Sequence, residues 1–378
     1  MESIFVYDRP VSGKLHVGRR ADVEKLCAML REGRHALLVA PPKAGKTSLV
    51  RQAFAKIASQ KEQFTALEAS LMGPRTLKEL LLDLGSQMIC CVASSQQEIA
   101  EAVFRFFGGT SYEFDFSAYR QSGRVLNLQG EPSDEDMRAV FELPERIAKD
   151  TGRRVYLVLD EFQDIRFTGC PERLLEAMKG ALERSRGCTF VVCGSMVNAM
   201  KDIFPAGAES PFEPFRLGPV QERDIKNYVI KSFLNNGKVI EEDQVGTVCD
   251  AVKCNIWYVN HFCAICDGIS KGYVTNALVR ESLGALTAVH EPRFRSMMAD
   301  LTNFQLSFLK AVLEGCTKFS SNEVIERYGL NSSANVSRIK DALCKKEIIS
   351  LEEGEQPLEI LDPLFEYWAA EYYFKTRH

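Results

Sequence analysis

The feature that most constrains the fold is an apolar run leading into a glycine-lysine-threonine triplet. Residues 35–50 read HALLVAPPKAGKTSLV, and good helix formers follow the triplet. This order is typical of a buried strand, a tight turn and a helix N-terminus, where backbone N–H groups and the helix dipole favour an anion. We therefore predict a phosphate-binding loop, in which Lys46 reaches the β- and γ-phosphates and the Thr47 hydroxyl binds Mg²⁺.

The loop departs from the usual pattern at its first position, where Ala40 replaces glycine. Alanine is tolerated there if the local φ is negative, so we predict a variant loop. A chance match is the alternative, because short motifs give false positives. The loop residues predicted to contact ATP or ADP are Pro41, Pro42, Lys43, Ala44, Gly45, Lys46, Thr47 and Ser48.

A second segment, RRVYLVLDEFQDI at residues 153–165, places two carboxylates after an apolar run typical of a buried parallel strand. Ligands bind at the carboxyl ends of such strands. Asp160 would hold Mg²⁺ through water, and Glu161 would orient and deprotonate the attacking water. Phosphoryl transfer needs mainly positioning and charge neutralisation, which these residues would supply. A solvent-facing acidic strand end is the alternative.

A third apolar run, from Thr189 to Cys193, ends at Gly194 and Ser195. In P-loop ATPases with an extra strand between the two motifs, this strand lies beside the loop strand, and a polar residue at its tip senses the γ-phosphate. Ser195 is the candidate for that role, with a simple Gly-Ser turn as the alternative.

Several segments follow one another in a characteristic order along the whole chain. They are Val17-Gly18-Arg19, the phosphate-binding loop, Asp160-Glu161-Phe162-Gln163, Gly194-Ser195, Ser210-Pro211-Phe212 and Leu361-Asp362-Pro363-Leu364-Phe365-Glu366-Tyr367-Trp368. The chain resembles the archaeal-type ATPase family of the STAND class, within the AAA+ P-loop proteins. The resemblance implies that Val17, Gly18 and Arg19 pack near the adenine and ribose, and that Gln163 helps to arrange the γ-phosphate side.

The arginine that would face the γ-phosphate is not assigned by this resemblance. Relatives carry it after the S-P-x segment, where the nearest arginine here is Arg216, and Arg184 and Arg186 are alternatives. AAA+ proteins often receive this arginine from a neighbouring subunit. A nucleotide-dependent homo-oligomer is therefore compatible with the resemblance.

The alternation of strand and helix patterns predicts three parts. Residues 1–218 would form a three-layer α/β ATPase core with a parallel sheet, and residues 105–133 a loop or small hairpin inserted over it. Residues 219–298 would form an α-helical lid, and residues 299–378 resemble a winged helix. The predicted strands of the sheet are 36–40, 64–69, 155–160, 189–194 and 214–217.

The winged helix raises the question of DNA binding, because helix-turn-helix folds place their recognition helix in the major groove. Residues 300–378 contain 13 Asp and Glu against 9 Lys and Arg, and the predicted wing turn includes Glu352, Glu353 and Glu355. Phosphate neutralisation supplies most non-specific affinity for DNA. These charges favour a module that binds a protein partner or the ATPase core, and DNA binding is the alternative.

Composition excludes several other classes of protein. The 378 residues are 46% hydrophobic and 26% charged, as in a globular chain of two or three domains. A net charge of −4 gives no general attraction to nucleic acid or anionic lipid. We find neither a run of ~20 apolar residues nor a signal peptide, so the 12 cysteines indicate reduced thiols in a cytoplasmic protein without a membrane partner.

The sequence thus predicts an Mg-ATP-binding, slowly hydrolysing switch ATPase. Its nucleotide state would close the lid and the winged helix onto the core, which requires that ATP bind the two arrangements with different affinity. The alternative is a nucleotide-gated DNA-binding or scaffold protein whose output is assembly.

Overall fold

Helices and strands alternate through the first part of the chain, and helices dominate the rest. A computed structural model of the protein describes residues 4–207, 209–351 and 358–376. The strands are β1 His35–Val39, β2 Phe64–Ser70, β3 Tyr112–Phe114, β4 Leu126–Leu128, β5 Arg154–Asp160, β6 Cys188–Gly194, β7 Phe212–Arg216, β8 Ile349–Ser350 and β9 Glu359–Ile360. The helices are α1 Arg20–Glu32, α2 Lys46–Ser59, α3 Leu77–Val92, α4 Gln96–Phe107, α5 Phe116–Ser122, α6 Asp134–Thr151, α7 Pro171–Arg184, α8 Val197–Ile203, α9 Glu222–Asn235, α10 Glu242–Ala251, α11 Ile256–Ile269, α12 Asn276–Ala299, α13 Asn303–Leu313, α14 Asn322–Tyr328, α15 Ser333–Lys345 and α16 Pro363–Trp368.

Five parallel strands form the central sheet, in the order β2-β5-β6-β1-β7. The prediction of a parallel sheet is confirmed, and all five strands lie within two residues of the predicted ranges. Strand β6 lies between β1 and β5. Because all three strands are parallel, the loop after β1, the carboxylates at the end of β5 and the turn after β6 lie at the same end of the sheet, where the strands have their carboxyl ends. Val39 is in register with Gly194, and Ser70 with Asp160.

Both faces of the sheet are covered by helices. Leu157 and Phe190 belong to the core beneath α3, α6 and α7, whereas Tyr156 and Val191 belong to the core beneath α1 and α2. Alternate residues of β5 and β6 therefore enter opposite cores. This is why both strands are continuous apolar runs in the sequence.

The segment between α4 and α6 contains a small hairpin. Strands β3 and β4 pair antiparallel, with Tyr112 opposite Leu128, and α5 lies between them. The hairpin packs on α3, where a Cβ on Gly85 would lie 2.5 Å from Leu126 Cδ1. Helix α5 was not predicted, because seven residues are too few to show an apolar period.

Helices α9–α12 precede a winged helix built from α13, α14, α15 and the paired strands β8 and β9. The two groups of helices share one hydrophobic core, in which Phe294 of α12 contacts Phe365 and Trp368 of α16. The division at residues 218 and 298 stays a prediction. The predicted wing turn at 352–355 lies outside the described residues. In the described ranges we find no helix that combines the length and apolarity needed to cross a bilayer.

Candidate functional site

A cavity of about 290 Å³ lies at the carboxyl ends of the strands of the central sheet, between the core, the N-terminal segment and α11. The predicted loop lines it through Pro42, Lys43 and residues 45–48, and Asp160 and Glu161 line it from β5. Residues contributed by the N-terminal segment and α11 include Val6, Tyr7, Val11, His16, Val17, Arg19, Ile256, Trp257 and Asn260. The structure thus brings together most of the residues predicted from separate motifs.

The loop after β1 contains two residues in the left-handed backbone conformation. Lys43 and Gly45 have φ values of 65° and 93°, so the chain turns sharply before α2 begins at Lys46. Ala40 is not among the described residues with positive φ, so the missing first glycine adds no left-handed strain. The first N–H groups of α2 have no helical partners and lie where Gly45, Lys46 and Thr47 line the cavity.

The ammonium group of Lys46 is folded back onto its own loop. Its side chain is 6% exposed and donates to the carbonyls of Ala40 at 2.7 Å and Pro41 at 3.1 Å. Burial lowers the pKa of Lys46, and the nearby charge of Glu161 opposes that shift. Phosphate oxygens would replace these two neutral carbonyls with charged acceptors, which form stronger hydrogen bonds with an ammonium group.

Thr47 and Asp160, the two residues predicted to hold a metal ion, are in direct contact. The Thr47 hydroxyl donates to Asp160 Oδ2 at 3.2 Å. Burial, followed by the charge of Glu161, raises the pKa of Asp160. A hydroxyl and a carboxylate in contact match the oxygen ligands of Mg²⁺, which is bound by one or two carboxylates together with substrate phosphates. These side chains fit a magnesium ion.

Glu161, Gln163 and Ser195 form a single hydrogen-bonded network, here called the sensor network. One carboxylate oxygen of Glu161, Oε2, accepts from Gln163 Nε2 at 2.6 Å and from the Ser195 hydroxyl. The Ser195 N–H donates to Gln163 Oε1 at 3.1 Å. Glu161 has a φ of 54°, an uncommon conformation for a residue with a side chain, which is often found at functional sites.

Arg166 supports this network and was not predicted from the sequence. Its Nε donates to the Gln163 carbonyl at 2.9 Å, and its Nη2 lies 3.2 Å from Met196 Sδ. Arg166 therefore ties the segment after β5 to the turn after β6. A single arginine a few residues beyond an acidic motif gave no distinguishing signal.

The Val17-Gly18-Arg19 segment closes one side of the cavity. Arg19 Nη2 donates to the Ala44 carbonyl at 2.9 Å, whereas Arg19 Nη1 is buried and has no hydrogen-bond partner among the described residues. Burial lowers the pKa of Arg19. A buried N–H without an acceptor is costly, so a ligand oxygen or ring nitrogen here would be favoured. Val17 packs against the hydrophobic core that helices α9–α12 share with the winged helix.

Gly18 is expected to be sensitive to substitution. It has a φ of +64°, and a Cβ would lie 2.8 Å from Val220 Cγ1 and 3.0 Å from Asp224 Oδ2. Gly13 has a similar φ of +63°, but a Cβ there would meet no described atom within 4 Å, which makes Gly13→Ala a matched control. We expect Gly18→Ala to cost about 1–3 kcal/mol more than the control, because only Gly18 adds overpacking to backbone strain. Thermal unfolding would show this as a larger fall in Tm; equal falls would contradict it.

Contacts between α11, the N-terminal segment and the loop complete the cavity. Tyr7 stacks on His261 at 4.2 Å between ring centroids, and Asn260 Nδ2 donates to the Val6 carbonyl at 3.0 Å. Lys43 Nζ lies 3.9 Å from the Trp257 ring centroid. Burial, then the charge of Arg293, lowers the pKa of Lys43 to about 8. Sequence reasoning missed these contacts because they join segments far apart in the chain.

The three candidate arginines are separated by the fold. Arg184 lies at the end of α7, before β6 begins, and pairs with Glu142 at 2.7 Å. Arg184 and Arg186 therefore lie near the amino ends of the strands, at the opposite end of the sheet from the cavity. Arg216 is the last residue of β7 and is in register with Val39. Its side chain is exposed at the end of the sheet where the loop after β1 lies.

Comparisons with known proteins agree with this architecture. Residues 292–371 match a family described as a probable winged helix domain. The structure resembles a Walker-type ATPase of Pyrococcus abyssi, with a TM-score of 0.67 and 16% identity, covering 96% of this chain and 98% of that chain. It also resembles the ORC2 protein of Aeropyrum pernix in ADPNP-ADP complexes, with a TM-score of 0.57 and 14% identity, covering 99% and 97%. Comparison with curated proteins gave no sequence match.

These likenesses concern the fold, since the identities are low. Both the sheet of five parallel strands with its helices and the C-terminal winged helix have counterparts in known structures and families. The chain therefore has the fold of a P-loop ATPase core followed by a C-terminal winged helix domain.

Proposed function

We propose that the protein is a cytoplasmic, Mg-ATP-dependent switch ATPase of slow turnover, similar to the STAND class of AAA+ proteins. The observation that carries this proposal is the cavity lined jointly by Lys46, Thr47, Asp160 and Glu161. A cation, a hydroxyl and two carboxylates beside a helix N-terminus are the groups that phosphoryl transfer requires. ATP and ADP would be the ligands.

Each residue has a definite role in this proposal. Lys46 would bind the β- and γ-phosphates, while Thr47 and Asp160 would hold Mg²⁺, which would neutralise phosphate charge. Glu161 orients the attacking water and accepts its proton, and Ser195 and Gln163 contact the γ-phosphate side. Turnover would be slow because Glu161 Oε2 already accepts two hydrogen bonds, one of which must be released before that oxygen can bind the attacking water.

The switch would operate through closure of residues 219–298 and 299–378 onto the core at residues 1–218. Trp257 and Asn260 line the cavity, so a bound nucleotide would touch the lid as well as the loop. Binding energy that differs between open and closed arrangements can then move a partner-binding surface. The partner would be another protein.

Stabilisation by the nucleotide tests the proposal. At ~100 times its Kd, a ligand specific for the folded state stabilises a protein by about 2.7 kcal/mol. MgATP and MgADP should therefore raise Tm by several degrees, calorimetry should detect one site per chain, and MgATP should release phosphate. A well-folded protein that shows no association with either nucleotide by calorimetry would refute the proposal.

A second candidate is a nucleotide-gated scaffold or DNA-binding protein whose output is assembly. Arg216 is exposed at the carboxyl end of β7, beside the strand that precedes the loop, and would suit a neighbouring subunit; Ser337 and Arg338 of α15 are also exposed. Light scattering after size exclusion, with ADP and with a slowly hydrolysed ATP analogue, would detect nucleotide-dependent assembly. A salt-dependent gel shift would detect DNA binding. Assembly or duplex binding without turnover would favour this candidate.

A further inference from the structure

Helix α8 links the sensor network to the winged helix. It begins at Val197, two residues after Ser195, and its N-cap residue Met196 supplies no side-chain cap. The cap comes instead from Glu347, at a sequence separation of 149 residues from Asn198. Glu347 Oε2 accepts from the Asn198 N–H at 3.2 Å, and its Oε1 accepts from the Ala199 N–H at 2.9 Å.

Further hydrogen bonds fix the same contact. Asn198 Nδ2 donates to the carbonyls of Cys344 at 3.0 Å and Ile349 at 2.8 Å. Lys201 Nζ donates to Ser350 Oγ at 2.9 Å. These acceptors lie at the end of α15 and along β8, so the first turn of α8 is held by the winged helix in a defined geometry.

Glu347 has an uncommon backbone conformation where it makes this contact. It is half-buried and has a φ of 53°, in the left-handed region that residues with a side chain rarely adopt. A strained, half-buried carboxylate at the end of a helix persists only when its surroundings hold it. Here the backbone N–H groups of α8 do so.

The path from this contact to the cavity is short. Met196 lies between Ser195 and α8, and Arg166 joins Met196 to the carbonyl of Gln163. Ser195 and Gln163 both donate to the same oxygen of Glu161. The position of the turn after β6 therefore affects how firmly the Glu161 carboxylate is engaged.

We propose that Glu347 is a positioning residue through which the docked winged helix holds Ser195 against Glu161 and restrains ATP hydrolysis. This inference rests on the proposed function. The Gln163 and Ser195 donors occupy Glu161 Oε2, the oxygen that would receive a proton from water. Loss of the cap loosens the first turn of α8, releases Ser195 and frees Glu161 to act as a base. A partner that pulls the winged helix away would have the same effect.

The test uses the full chain with Glu347→Gln and, separately, Asn198→Ala. Glu323→Gln, an exposed carboxylate in the first turn of α14, is the matched control. Each interface variant should raise kcat by roughly three- to tenfold, as expected for the loss of one helix cap. The Kd for MgATP should stay within about twofold of wild type, because neither residue lines the cavity. The control should leave both unchanged.

The double variant adds a readout that a purely structural role would not move. If Glu347 and Asn198 act through one contact, the double variant should raise kcat no more than the larger single effect. Unchanged or lower kcat in folded variants, or multiplicative effects, would overturn the inference. If Glu347→Gln fails to fold, Asn198→Ala decides alone. Failure of the wild type to bind MgATP would instead count against the proposed function.

Discussion

Replacing Lys46 with alanine is expected to reduce MgATP affinity at least ~100-fold and to remove measurable turnover. The ammonium group is buried and donates to the carbonyls of Ala40 and Pro41, where phosphate oxygens would take their place. Hydrogen bonds to charged groups contribute about 1.5–3 kcal/mol each, and Lys46 would make two, one to the β-phosphate and one to the γ-phosphate. A tenfold change in affinity corresponds to about 1.4 kcal/mol. Calorimetry and phosphate release would measure both effects.

Lys231→Ala provides the matched control, because Lys231 is exposed on α9 and away from the cavity. It should bind and hydrolyse MgATP like the wild type. Circular dichroism and Tm must show that Lys46→Ala is folded. Normal turnover in that folded variant would refute the assignment of the loop.

Replacing Glu161 with glutamine is expected to lower kcat by at least ~100-fold while MgATP binding is retained. Glutamine has nearly the shape of glutamate and can still accept hydrogen bonds from Ser195 and Gln163, but it cannot take up a proton from water. Positioned general bases contribute about 10²–10⁴-fold to rates. Single-turnover experiments should find intact ATP on the protein after the wild type has converted it.

Glu172→Gln, an exposed carboxylate in the first turn of α7, is the control for charge removal. It should leave the rate unchanged. If the Glu161→Gln variant hydrolysed ATP at the wild-type rate, Glu161 would be excluded as the base, even if the assignment of the phosphate-binding loop proved correct. The two large predictions therefore test binding and chemistry separately.

Local signals were sufficient for much of the fold. The strands β1 and β5 were recognisable because strands covered on both faces are apolar throughout. Some helix ends carry local signals as well: Thr302 forms a capping box with Gln305 at the start of α13, and Gly329 ends α14 with a φ of 62°. The short helix α5 was missed because a seven-residue helix has no clear period.

The sequence identified only part of the candidate site. Motif spacing indicated Lys46, Thr47, Asp160 and Glu161, and the structure brings them to one cavity. Their chemical roles remain predictions. Of the three candidate arginines, only Arg216 lies at the end of the sheet where the cavity is found. The order of residues along the chain could not reveal this.

The sequence by itself determined most of the strands and helices and the turn that joins β1 to α2, because backbone preferences and apolar periodicity act between residues close in the chain. Only the tertiary structure decided that Lys43 lies over Trp257 and that Glu347 caps α8. Such contacts depend on how the helices pack around their common cores. That packing depends on the fit of many side chains at once, which no short segment encodes.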